Sequence, residues 1–289
     1  MTLSPTIPMD IRRRLTDIGN AEDDGIDLAD AALVLAAADR PGVPMEPYRR
    51  HLKSLAAEVR AYVGQAEDEA DDETGADLDL RIEALVQVIV RRYGYGGGED
   101  VFDDLDAANL MRVIDSRSGL PVALGIIFMA TGRALGWAIT GLDFPGRFLI
   151  RLDAGGMRKI IDPFGGGAVV EAADMRDMFK AVAGNHVELM PIHYRDASNR
   201  GILLRLQNNI KSRLVRRQRW EDVLETIEAM VLFAPSETEL WRELGLLHAK
   251  LDHVKDAVRA LEEYLCRTGG EDGRYNTSKL LQELRTKLN

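Results

Sequence analysis

Apolar residues recur at helical spacing through residues 9–63, at Ile11, Leu15, Leu28, Ala32, Leu35, Leu52, Leu55, Val59 and Val63. Pro41 and Pro44 divide this stretch into at least two helices. A further helix is predicted through RIEALVQVIVRRYGY. The pattern then changes. Pro121 stands where a first helical turn tolerates proline. Behind it Val122, Leu124, Ile126, Ile127, Phe128 and Met129 leave no polar side, so the helix is expected to be surrounded by protein and to end at Gly136. Three β-type stretches follow, WAITGLDF, RFLIRLD and MRKIID, punctuated by Pro145-Gly146 and Ala154-Gly155-Gly156. A buried helix backed by an antiparallel meander is an α+β core. If residues 154–155 form the hairpin turn, Arg147 faces Asp162 directly across the strands, an opposite-charge pair.

From Asn199 the pattern predicts helices only. Residue n set beside n+34 shows a weak internal repeat, with Gln207–Pro235 as one helix pair and Trp241–Gly269 as the next. Trp241, Leu244, Gly245, Ala257, Leu261 and Tyr264 fall where a tetratricopeptide repeat packs its two helices. In the first pair Val223, Ile227, Met230 and Pro235 match. Two repeats are few for an array standing alone, and they are expected to lean on the preceding domain. The predicted organisation is an α+β domain with N-terminal helices over 1–195 and an all-α repeat region over 196–289.

The composition excludes several classes of function. Over 289 residues the net charge is −10, which disfavours nucleic acid and anionic membrane surfaces as partners. The most apolar run, Ser118 to Gly132, is too short for a membrane span and suits a buried helix. The N-terminal stretch lacks the apolar centre of a signal peptide, so a cytoplasmic location is expected. Cys266, the one cysteine, precludes an internal disulfide and a Cys-rich metal site, and it reads as helix packing. His186 and His193 lack tight ligand spacing, and neither metal nor cofactor is expected. YGYGGGED lacks the Gly-Lys-Ser/Thr of a phosphate loop and reads as a flexible connection. The eight acidic residues between Glu67 and Asp79 read as a solvated loop. Ser116 and Ser118 read as turn or cap residues. The basic stretch Arg205, Lys211, Arg213, Arg216, Arg217 and Arg219 reads as a solvated helix face or a partner for the acidic loop.

The strings ANLMRVIDSRSGLPVALGIIF (108–128), PGRFLIR (145–151), IDPFGG (161–166) and RGILLRLQNNIK (200–211), followed by the Trp241 repeat, resemble the transglutaminase-like fold with its papain-like core. More closely they resemble the bacterial SirB-one family, in which such a domain precedes tetratricopeptide helices. In active relatives of that fold a cysteine opens the buried helix, a histidine lies on the next strand and an aspartate on the one after. The helix N-terminus favours a thiolate, the histidine moves the proton and the aspartate orients the imidazole. The resemblance places the cysteine position at or near Pro121, the histidine position on Arg147 and the aspartate position on Asp162. Only the third is retained. Proline offers no nucleophile, and an arginine guanidinium is no general base. No histidine occurs between Gly98 and Val182.

Catalytic residues are therefore expected to be absent, with Pro121, Arg147 and Asp162 as vestigial positions. The expected function is non-catalytic: a protein-interaction or regulatory module that binds another cytoplasmic protein or peptide. The alternative is a hydrolase or acyltransferase that uses a different nucleophile in the same cleft.

Overall fold

A computed structural model of the chain describes residues 7–69, 76–269 and 273–288. Within the acidic stretch from Glu67 to Asp79, residues 70–75 lie outside the described residues. By packing, the chain divides into two compact units, Ile26–Leu206 and a second made of Met1–Gly25 with Gln207–Asn289. This differs from the expected division at residues 195 and 196, and the reason lies in the first helix.

The core unit begins with α2 (Leu28–Ala38), capped by Asp27, whose side chain accepts from the Asp30 N–H at 3.0 Å. α3 (Glu46–Glu69) and α4 (Ala76–Leu85) follow, and the chain continues from α4 into a π-helical segment, Val86–Arg92. α5 (Leu110–Ser116) and α6 (Pro121–Arg133) come next. α6 is buried nearly all round, as its uniform apolar character predicts. It ends at Arg133, and Gly136 in the turn just beyond takes φ +78°, open to glycine at no steric cost.

Four strands form an antiparallel meander in the order β1 (Ala138–Leu142), β2 (Leu149–Ala154), β3 (Met157–Asp162) and β4 (Ala168–Val169). Ile139, Ile150, Leu152 and Ile161 share one face by register and are buried, while α6 packs against β1 and β2. On the other face Leu142 and Leu149 join Phe144, Val170, and Met175 and Phe179 of α7 (Ala172–Ala183) in a second apolar cluster. The helix–sheet contact is close. A Cβ on Gly125 of α6 would collide with the Phe148 ring.

The hairpin turn is Gly155-Gly156, not 154–155. Both glycines have positive φ, +56° and +79°, and Ala154 pairs with Met157. Such two-residue turns require φ > 0 at both positions, and the Gly-Gly pair supplies it. The expected register is therefore shifted by two residues, and Asp162 stands across from Leu149. A two-residue shift preserves the side of the sheet, so Arg147 remains on the same side as Asp162.

α8 (Asn199–Arg216) crosses the boundary between the units. Near its start Asn199 accepts from Arg133 Nη1 at 2.7 Å, and its Nδ2 donates to the Ile26 carbonyl at 3.4 Å. One side chain thus ties the beginning of the core unit to its end.

The second unit holds α1 (Met9–Asn20), α9 (Trp220–Phe233), α10 (Thr238–Lys250), α11 (Val254–Arg267) and α12 (Arg274–Leu288). Leu244, Gly245, Ala257, Leu261 and Tyr264 are buried, and a Cβ on Gly245 would lie 2.5 Å from Leu261 Cδ2. Trp241 Nε1 donates to the Pro235 carbonyl at 2.9 Å, joining the two repeats. Val223, Ile227 and Met230 are buried as well. α1 belongs here because it packs on α9: it buries Ile11 and Leu15, and Gly19 clears the Leu232 carbonyl oxygen, which any Cβ would strike.

Cys266 is exposed, so it is not a packing residue. The basic stretch is not one solvated face. Arg213 is buried, Lys211 pairs with Glu243 at 2.5 Å, and Arg219 pairs with Asp222 at 2.6 Å.

Candidate functional site

Of the three positions named from the resemblance, two meet. Arg147 Nη2 lies 2.6 Å and Nε 2.8 Å from Asp162 Oδ2. The Asp162 side chain is 5% exposed against 35% for Arg147, so the carboxylate is the buried partner. Its second oxygen, Oδ1, accepts from the Phe164 N–H at 3.0 Å. Asp162 therefore has both oxygens occupied, one by a cation and one by the backbone.

The surroundings hold this pair in place. Arg147 lies over the Phe164 ring at 5.0 Å, and Phe164 packs on Phe102 at 5.3 Å. Gly97 passes beneath Phe164, where a Cβ would overlap the ring. The glycine run is thus an ordered support and not a flexible connection. Gly96 bridges to Ser118, its N–H donating to the Arg117 carbonyl at 3.0 Å and its carbonyl accepting from Gly119 N at 3.2 Å. From the other side Arg205 of α8 donates to the Phe144 carbonyl and to the Arg147 carbonyl, both at 2.9 Å. This half-buried arginine of the basic stretch fixes the segment that carries Arg147.

Pro121 is buried at the first turn of α6, and Leu120 N donates to the Ala107 carbonyl at 2.8 Å. Ser116 and Ser118 bond each other across a turn: Ser118 N donates to Ser116 Oγ at 3.3 Å and Ser116 Oγ donates to the Ser118 carbonyl at 3.1 Å. His193 stacks on Phe179 at 4.4 Å, and its Nδ1 accepts from Met190 N at 3.0 Å, so its ring has a structural task. Among the described residues no group of three or more His, Cys, Asp or Glu is placed to hold a metal.

A second constellation has no precedent in the sequence reading. His51 of α3, Tyr93 and Tyr95 after the π-helical segment, and Arg117 after α5 converge. Arg117 Nη1 donates to His51 Nε2 at 2.8 Å and to the Tyr95 hydroxyl, which itself lies 2.8 Å from His51 Nε2. The Arg117 guanidinium lies 4.9 Å from the Tyr95 ring centre and 5.7 Å from that of Tyr93. Tyr93 donates to Glu58 Oε1 at 2.5 Å, and Arg92 pairs with Glu58 Oε2 at 2.8 Å. Those two donors, Tyr93 first, lower the Glu58 pKa. Burial, reinforced by the Arg117 charge, lowers the His51 pKa to about 4. Burial raises that of Tyr95 to about 12. His51 is thus neutral at pH 7, and Arg117 can only donate, so Nε2 is an acceptor and the ring proton sits on Nδ1. Four residues spread over 67 positions give no local motif. Their one visible cue is the Tyr-Gly-Tyr preceding the glycine run.

Comparison with known proteins agrees with this architecture. Residues 46–208, more than half of the chain, match the transglutaminase-like superfamily, and residues 210–282 match a tetratricopeptide repeat. A UPF0162 protein of Xylella fastidiosa (strain Temecula1) is 25% identical over 252 residues, 86% of each chain. A UPF0162 protein of Vibrio cholerae is 27% identical over 243 residues, 84% of this chain and 86% of the relative. The SirB1 protein of Salmonella typhimurium is 26% identical over 191 residues, 65% of this chain and 70% of the relative. The expected order of an α+β domain followed by repeat helices holds, and the chain belongs to the transglutaminase-like superfamily, in the company of the SirB1 and UPF0162 proteins.

Proposed function

We propose that the protein is a non-catalytic interaction or regulatory module of the cytoplasm: a transglutaminase-like domain whose cleft has lost its chemistry, joined to repeats that bind another protein or peptide. The observation that carries the reading is the Arg147–Asp162 pair. At the position where the resemblance expects an imidazole, a guanidinium is locked to the carboxylate that would orient it. A group that stays protonated cannot take a proton from a nucleophile. The one cysteine, Cys266, is exposed on α11 in the repeat unit, not on α6.

The interaction half of the reading is supported by the repeat surface. Lys211 of α8 meets Glu243 of α10, so the first helices of successive pairs adjoin. Leu246 on α10 and Val215 on α8 are exposed apolar side chains on these helices. Exposed apolar groups on adjoining repeat helices suit a peptide or small domain at modest affinity.

The test has two arms. Purified full-length chain is incubated with amide, ester and thioester substrates, and turnover is compared with that of Arg147→Ala and Cys266→Ser. Affinity capture is run in parallel with the wild type and with Leu246→Asp. No turnover, together with a protein retained by the wild type and lost by Leu246→Asp, is the expected result. Turnover by the wild type, with no protein retained specifically, overturns the proposal in favour of an enzyme with another nucleophile.

A further inference from the structure

We infer that the cleft beside Arg117 binds a small organic anion, with a carboxylate or phosphate group on the Arg117 guanidinium and an apolar body along Val43, Pro44 and Ile114. The cleft is open to solvent on one side and holds about 440 Å3, within the range that small-molecule sites occupy. It lies in the core unit, neither Arg147 nor Asp162 lines it, and the inference is independent of the interaction reading.

Charge is the first ground. Arg40, Arg49, Arg147 and Arg151 each meet a carboxylate at 2.6–2.8 Å. Arg117 is half-buried, yet among the described residues its partners are His51 and the two tyrosines, none of them anionic at pH 7. Asp115 also lines the cleft, but it is already engaged: it accepts from Arg40 at 2.8 Å and from the Tyr48 hydroxyl at 3.1 Å. Arg40 and Asp115 cancel, and the cleft retains one positive charge.

Preorganisation is the second. Arg117 has φ +62°, a left-handed conformation that an arginine rarely adopts. Its N–H donates to the Val113 carbonyl at 2.8 Å, and its carbonyl accepts from Gly96. Arg117 is the left-handed C-cap of α5, and these two backbone bonds set where its side chain leaves the chain. Two aromatic rings and the His51 acceptor then fix the guanidinium. Only Nη1 is used in those bonds, leaving Nη2 and Nε, the edge of the fork that suits a two-oxygen acceptor. His51 lines the same cleft beside the guanidinium.

Shape is the third. Val43, Pro44, Pro47 and Ile114 give the cleft an apolar wall beside the charge. A bare inorganic ion would use the charge and leave this wall wet. An anion carrying a ring or short chain would use both.

The test is titration of the full-length chain with benzoate, phenyl phosphate, inorganic phosphate and the neutral isostere benzamide, followed by calorimetry and amide chemical shifts. Expected is saturable binding of benzoate or phenyl phosphate, tighter than inorganic phosphate and than benzamide, with shifts at His51 and Arg117. The tighter of the two names the head group. Arg117→Gln should weaken that binding roughly tenfold or more, the usual scale of one lost charge-assisted contact. If that variant fails to fold, Val43→Trp, which fills the apolar end and keeps the charge, should abolish binding. No saturable binding of either organic anion, equal binding of benzamide, or unchanged affinity in a folded Arg117→Gln would each overturn the inference.

Discussion

Replacing Arg117 by glycine and by alanine separates what its backbone costs from what its side chain contributes. Both substitutions remove the same contacts, the bonds to His51 and Tyr95 and the stacking on two tyrosine rings. They differ only at the backbone, where φ is +62°. A Cβ in the left-handed region costs roughly 1–2 kcal/mol, which glycine escapes. Glycine gives back about 0.4–1 kcal/mol through the greater entropy of its unfolded chain. The balance leaves Arg117→Gly more stable than Arg117→Ala by about 0.5–1 kcal/mol. Both should fall below the wild type, since losing the cation over two rings and the bonds to Tyr95 and His51 costs roughly 1–3 kcal/mol. Urea unfolding measures the difference as a change in midpoint at constant slope. Because the chain forms two units, the probe must be local. Trp137, which stacks with Arg81 at 5.4 Å in the core unit, serves once Trp220 and Trp241 are replaced by phenylalanine. Equal midpoints, or alanine above glycine, would refute the claim that strain is stored at this residue.

His51 gives a pH dependence. Its folded pKa, about 4, lies below the ordinary 6.5, so the unfolded chain binds the extra proton first. Stability is complete above pH 6.5 and is lost as pH falls towards 4, by about 1–2 kcal/mol once solvent screening of this half-exposed ring is allowed for. In His51→Gln that part of the acid limb should vanish from urea midpoints taken between pH 4 and 7; an identical limb would refute the assignment. Arg147→Ala should cost about 1–3 kcal/mol by the same local probe, because it strands a buried carboxylate, and a change within error would show that the pair is ornamental. Gly245→Ala should lower the repeat unit's stability by roughly 1–3 kcal/mol through overpacking against Leu261, read from Trp220 and Trp241 fluorescence; tolerance would mean that α10 and α11 separate easily. Cys266→Ser should leave melting and binding unchanged, since the thiol is exposed, and loss of either would restore a role for it.

What the sequence revealed and what it concealed follow from the range of the interactions involved. The 121–133 helix declared its burial because Val122, Leu124, Ile126, Ile127, Phe128 and Met129 leave it no polar side. The Arg147–Asp162 contact was legible because hairpin geometry is local, although the turn sits one residue later than expected. The repeat residues Gly245 and Leu261 were legible through periodicity. The convergence of His51, Tyr93, Tyr95 and Arg117 was not, since neither a left-handed arginine nor the approach of α3 to the end of α5 leaves a trace in residue order. The π-helical segment before Tyr93 and the two-residue β4 carry no period long enough to read. Arg205 and Arg213 looked like a solvated face because a charge run does not say which members are inward.

The pairing of α1 with α9 makes the repeat unit discontinuous in the chain: its first helix is made at the start and its partner more than 200 residues later. Bringing such distant segments together from a disordered intervening chain of roughly 180 residues would carry a closure cost of about 4–5 kcal/mol. The folded core removes that cost beforehand, because Asn199 and Ile26 already hold its two ends together. Assembly should therefore be ordered, the core first and the repeats after it, with α1 waiting undocked during synthesis. Damage to the core would then be felt in the repeats without touching them: loosening the Asn199 tie lengthens the effective loop and weakens the hold of α1 on α9.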